Sequence, residues 1–177
     1  MVIKVPTRSV HQEVLSKKEI QQVLADLKTN EEWFYPCFLL WMSTGLRNSE
    51  LIGLTWDAVR LDDGELLISK TLKRDGTATH RRIWGCTKTG KSRVVPITPQ
   101  VVEMLRQHRL RMQELAMNTK NGLVFITPRT HQHLYDSGLE YAWKRSLRRL
   151  GLPVRRLYSQ RHTFVSIPCV GIRKFTC

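Results

Sequence analysis

The chain has no run approaching the roughly 18 to 20 apolar residues that a membrane span requires. Its longest candidate, residues 33–42, is half that length. Its first residues, Met-Val-Ile-Lys-Val-Pro, carry neither a long apolar stretch nor a small-residue cleavage site, which argues against export. Cysteine is scarce: Cys37, Cys86, Cys169 and Cys177 stand far apart with no C-x-x-C pair. That spacing suits free thiols better than disulfides or zinc ligands, so the expected compartment is the cytoplasm. Internal repeats and low-complexity segments are absent, and 41% hydrophobic residues argue against disorder. With 177 residues, one packed domain is expected and two of ordinary size are excluded.

Acidic residues are also few where basic ones gather. Ten of the fifteen acidic residues fall in the first 65 positions, and none follows Glu140. Beyond Tyr141 come Lys144, Arg145, Arg148, Arg149, Arg155, Arg156, Arg161, Arg173 and Lys174, within a formal net charge of +14. Such a field draws polyanions by counterion release, and nucleic acid is the leading partner. Anionic lipid fits less well, because the cations are interleaved with a core-like apolar pattern and form no tail.

Residues 1–15 read as a linker or arm. Ser16 and Glu19 form a capping box ahead of Ile20, Val23, Leu24 and Leu27 at helical spacing. A second helix is expected from Pro36 to Thr44, ended by Gly45, and Asn48 is placed to cap a third that runs through Leu54. Residues 66–69, 81–84 and 93–97 are short strand-like runs. Asp75-Gly76 and Thr89-Gly90 lie between them, which predicts one small antiparallel sheet. Pro99 opens the longest helix, with the stripe Val101, Leu105, His108, Met112 and Leu115; His108 is expected at the core edge. Residues 124–126 are extended. A final helix turns Leu139, Trp143, Leu147 and Leu150 inward and sets Lys144, Arg145, Arg148 and Arg149 beside them. The fold class is mixed α/β, mainly helical, with helices around a small antiparallel β-sheet.

Residues 85–92, Gly-Cys-Thr-Lys-Thr-Gly-Lys-Ser, match the P-loop pattern letter for letter. That motif works by feeding its loop into a helix N-terminus, which holds phosphate on its amides. Here Arg93-Val94-Val95-Pro96-Ile97-Thr98-Pro99 follows, a strand-like run with two prolines. A hairpin fits and a nucleotide-hydrolysing loop does not.

Three separated segments carry the chemistry. The first is Thr44-Gly45-Leu46-Arg47-Asn48-Ser49-Glu50-Leu51, an arginine with a carboxylate three residues on. The second is Thr87-Lys88-Thr89-Gly90-Lys91-Ser92-Arg93-Val94-Val95-Pro96, with a lysine on a turn. The third is Tyr158-Ser159-Gln160-Arg161-His162-Thr163-Phe164. Singly, each has an ordinary explanation: a surface ion pair, a solvated lysine, more of a basic face. Together and in this order, they resemble the tyrosine recombinase family, the integrases of temperate phages and related elements. T-G-L-R-x-S-E-L is similar to its first-arginine box, T-K-T-G-K-S-R-x-V-P to its lysine hairpin, and R-H-T-F to its second-arginine box. The resemblance covers residues 16–166, which it identifies as an integrase-like catalytic domain.

That resemblance implies DNA integration or site-specific recombination, by strand cleavage and rejoining through a phosphotyrosine intermediate. Arg47 and Arg161 would grip the scissile phosphate, Lys88 would protonate the departing 5′ oxygen, and Glu50 would support Arg47. Lys91 is the weaker candidate for the acid. Tyr158 stands where the family usually has histidine and is not the nucleophile; His162 belongs to the box as a structural residue. DNA contacts are expected from Lys91, Arg93, Lys144, Arg145, Arg148, Arg149, Arg155 and Arg156. The implied partners are double-stranded DNA and other recombinase protomers, with no metal, no nucleotide and no membrane. The family continues past R-H-T-F through an apolar helix to its nucleophilic tyrosine. Here Pro168 follows and no tyrosine lies beyond Tyr158, so a premature end is expected, with residues 167–177 an aberrant tail. The family's N-terminal helical domain is likewise not expected in residues 1–15. The alternative is a non-catalytic DNA-binding remnant or regulatory module.

Overall fold

The computed structural model describes residues 15–76, 81–87, 90–117, 121–155 and 157. The first helix, α1, spans Lys17–Asn30, and Ser16 caps it as the sequence predicts. Its hydroxyl accepts from the Glu19 amide at 3.2 Å, while the Ser16 amide donates to the Glu19 carboxylate at 2.6 Å. Helix α2, Tyr35–Thr44, is apolar nearly all round and lies within the core. Gly45 ends it in the left-handed region at φ 61°, where a side chain would be strained.

Helix α3, Asn48–Ile52, begins one residue earlier than predicted. Arg47 takes the N-cap position, and Asn48 is the first helical residue. A 3-10 turn at Trp56–Ala58 leads into strand β1, Val59–Arg60. Four further strands follow: β2 Glu65–Ile68, β3 Lys70–Arg74, β4 Arg82–Cys86 and β5 Arg93–Pro96. Long helices α4, Pro99–Glu114, and α5, Asp136–Arg149, complete the order.

The strands form two antiparallel units where one was expected. β2 lies between β1 and β5, with Leu66 opposite Val59 and Val95. β3 and β4 make a separate two-stranded ribbon, with Leu72 opposite Trp84. Only Ser69 separates β2 from β3, so one extended stretch changes partner at that residue. The segment after Cys86 therefore joins the ribbon to the sheet; β4 and β5 are not paired with each other, which corrects the expected hairpin. Asp75-Gly76 does mark the β3–β4 turn.

The helices pack around these strands on a main core, with a smaller cluster of Met112, Met117, Leu123 and Ile126 beside it. Phe38 of α2 stacks on Trp143 of α5, ring centroids 6.0 Å apart, and both are fully buried. Helix α1 lies against α2 and α5, α2 against α4, and α3 against β3. His108 is buried among Trp33, Trp56 and Phe125, as the stripe implied, and donates from Nε2 to the Val124 carbonyl at 2.9 Å. Leu115 leaves that stripe: it caps α4 and is 53% exposed. The molecule is mixed α/β and mainly helical.

Candidate functional site

Arg47 is placed by the end of one helix and the start of the next. The Gly45 amide bonds to the Trp41 carbonyl at 2.9 Å, and the Trp41 indole donates to the Leu46 carbonyl at 2.7 Å. Leu46 is fully buried, so Arg47 emerges from a fixed corner in extended backbone, φ −68° and ψ 147°. Glu50, one turn into α3, reaches back and accepts from the Arg47 amide at 2.8 Å and its Nη1 at 3.0 Å. Arg93, at the start of β5, donates Nη1 and Nη2 to the two oxygens of the same carboxylate, at 2.9 and 2.7 Å.

The Glu50 side chain has no exposed surface. Burial alone would push its pKa up. The Arg93 hydrogen bonds, then those from the Arg47 amide and side chain, outweigh it and hold the carboxyl down at about 2. The same bonds to Glu50 raise the Arg93 guanidinium against its own desolvation. Glu50 thus stays ionised between two arginines, and the Arg47 side chain keeps 29% of its surface open.

The lysine-bearing turn leaves β4 at Cys86. The Thr87 hydroxyl donates to the Lys91 carbonyl at 2.7 Å, and the Gly90 amide to the Thr87 carbonyl at 2.9 Å. Gly90 has φ 70°, which suits a residue without a side chain. Lys91 is exposed, and the segment runs into β5 and into no helix, so the phosphate-holding geometry of a P-loop is not built here. Lys88, Arg156, Tyr158, Arg161 and His162 lie outside the described residues.

Several cations assigned to a DNA face are bound within the fold. Arg149 pairs with Asp26 at 2.7 Å and Glu31 at 3.2 Å, and Arg145 pairs with Glu31. Arg155 reaches Glu19 at 3.3 Å, and Lys144 pairs with Glu140 at 2.8 Å. Asp26 and Glu31 are nearly buried, so α5 answers the acids of α1 with these arginines. Arg148, like Arg149, is exposed. Asp136 was not singled out in the sequence. It accepts from Asn48 at 2.6 Å, from Arg74 Nε at 2.6 Å and from the buried Arg82 at 2.8 Å, tying α3, the β3–β4 ribbon and α5 together. Its signal was its isolation: Asp136 and Glu140 are the only acids after Glu114.

Residues 13–167 match the model of the phage integrase family. The chain belongs to that family. This integrase-family chain is 30% identical over 169 residues to a tyrosine recombinase XerC-like protein of Caldanaerobacter subterraneus subsp. tengcongensis, covering 87% of this chain and 42% of the relative. Among solved structures it resembles the Tn1549 transposon integrase in complex with transposon right end DNA, with TM-score 0.76 and 17% identity over 90% of this chain and 54% of that one. It also resembles the XerA recombinase, with TM-score 0.65 and 21% identity over 87% of this chain and 49% of that one. The integrase-family chain therefore spans about half the length, or less, of the proteins it matches. Among its described residues no helix is long and apolar enough to cross a membrane.

Proposed function

We propose that this chain contributes the phosphate-gripping part of site-specific DNA recombination, in which a strand is cut and rejoined through a phosphotyrosine intermediate. The observation that carries the reading is Arg47: a member of an integrase-family chain, held at a fixed corner by a saturated, buried carboxylate, with side-chain surface still open. In this reading residues 16–166 form the catalytic domain and residues 1–15 an arm. Arg47 and Arg161 bind non-bridging oxygens of one backbone phosphate, whose charge grows as it becomes five-coordinate. Lys88 gives its proton to the departing 5′ oxygen, with Lys91 as the weaker candidate. Tyr158 hydrogen-bonds the phosphate, and His162 supports the loop. Residues 159–177 hold no tyrosine, so the nucleophile comes from outside these 177 residues, as when another recombinase protomer on the DNA supplies it. The partner is duplex DNA, and the protein works in the cytoplasm.

The test is a titration of a fluorescent duplex at several salt concentrations. Affinity should fall log-linearly with salt at roughly 0.9 per phosphate neutralised. Arg47→Ala should weaken binding to all sequences alike and reduce that slope by about 1. Salt-independent binding, or an Arg47→Ala variant that binds as wild type does, would sink the reading. A covalent adduct between these 177 residues and a nicked duplex would place the nucleophile at Tyr35, Tyr135, Tyr141 or Tyr158 and overturn the division of roles among Arg47, Lys88 and Tyr158.

A further inference from the structure

Arg93 was expected to meet DNA, yet its side chain is turned to a different task. Both of its terminal nitrogens are committed to Glu50, at 2.9 and 2.7 Å. Oxygen Oε1 is shared between Arg93 Nη1 and Arg47 Nη1, and Oε2 between Arg93 Nη2 and the Arg47 amide. Four donors therefore saturate a carboxylate that solvent does not reach. The two arginines lie 46 positions apart, on α3's N-cap and on the first residue of β5, where Arg93 stands opposite Ile68.

We propose that Arg93 is a positioning residue for Arg47, acting through Glu50, and not itself a DNA contact. This deepens the recombinase reading and rests on it. The physics has two parts. A lone carboxylate beside Arg47 would cancel its charge, because one negative group would face one positive group. With Arg93 present, two guanidinium groups share one carboxylate, and the cluster retains a positive charge that an incoming phosphate can meet. Arg93's planar fork also fixes both carboxylate oxygens, so the oxygen that receives Arg47 Nη1 cannot swing away. Lysine would supply charge without the fork.

The experiment combines a titration with a double-mutant cycle. Carboxyl ¹³C shifts of glutamate-labelled protein are followed against pH in wild type, Arg93→Gln and Arg93→Lys, with circular dichroism confirming the fold. Affinity for a 20-base-pair duplex at low salt is measured for the same three proteins, each with and without Arg47→Ala. The Glu50 inflection should rise by about 1 to 3 units in Arg93→Gln. Duplex affinity should fall roughly tenfold to a hundredfold in Arg93→Gln. It should fall nearly as far in Arg93→Lys, and no further when Arg47 is already alanine. An equal loss in both Arg47 backgrounds would mean that Arg93 touches phosphate directly and would overturn the proposal; so would full affinity in Arg93→Lys. Should Arg93→Gln fail to fold, Arg93→Lys carries the same comparison. The titration needs no DNA. Wild type that ignores the duplex sinks the recombinase reading, whereas a Glu50 inflection unmoved by Arg93→Gln sinks the positioning role.

Discussion

Glu50 is the residue on which most of the candidate site turns. Replacing it with glutamine leaves two guanidinium groups facing a neutral amide in a buried place, and should cost about 3 kcal/mol. Urea unfolding should show a lower midpoint with an unchanged slope. The pairing of Glu50 with Arg47 was legible in the sequence, because a three-residue spacing across a helix start brings the two together. Arg93 was legible as a cation and not as a partner. Its meeting with Glu50 depends on β5 lying beside β2, and no local pattern specifies that neighbour. His108 was read correctly because helical period alone places it inward. The ion pairs of Arg145 and Arg149 with Glu31 and Asp26 were not legible, since periodicity sets the arginines on a face without telling what lies opposite. The roles of Lys88 and Arg161 rest on the motifs alone, as both lie outside the described residues.

At the scale of elements, α3 is pressed onto the β3–β4 ribbon at Gly53. A Cβ there would stand 2.7 Å from the Leu72 backbone nitrogen, so Gly53→Ala must displace the strand. A loss of about 1 to 3 kcal/mol is expected, read from the thermal midpoint. Helix α5 invites a paired comparison. Arg149→Ala should destabilise by about 1 to 2 kcal/mol, less than a fully buried pair because the arginine is part-exposed, and leave duplex affinity close to wild type. Arg148→Ala should do the reverse: weaker duplex binding in a titration and an unchanged midpoint. Helices and caps were legible because capping boxes and apolar periods are local. The division of the strands was not, because β2 and β3 form one nearly unbroken extended run whose change of partner at Ser69 leaves no compositional mark.

Across the whole molecule, acids and bases that stand at opposite ends of the sequence neutralise each other in the fold. Stability should therefore fall with acid in two stages. Burial, helped by the nearby Arg111 charge and opposed by the bond to Val124, lowers the His108 pKa below its ordinary 6.5. The unfolded chain then takes up that proton first, and stability declines as pH drops below about 6.5. The carboxylates follow. Glu50, Asp26 and Asp136 are held low by their donors in spite of burial, and Glu19 chiefly by the Ser16 amide. A depressed carboxylate contributes fully above its ordinary value and loses that contribution as pH falls through the folded one. For Glu50 the window runs from 4.5 to about 2, with about 3 kcal/mol at stake. Midpoints measured from pH 8 to pH 2.5 should bend near 6.5 and steepen below 4.5; a flat profile would contradict these burials.

Asp26 and Glu31 find their counter-ions more than a hundred residues away, at Arg145 and Arg149. A ribosome thus delivers the acceptors long before the donors. Until α5 emerges, α1 has nothing to seat against on that side, and the two carboxylates stay hydrated. Helix α1 is made long before α5 yet completes its packing only with it, and a nascent chain paused before Asp136 should exchange the amides of residues 17–30 faster than the finished fold does.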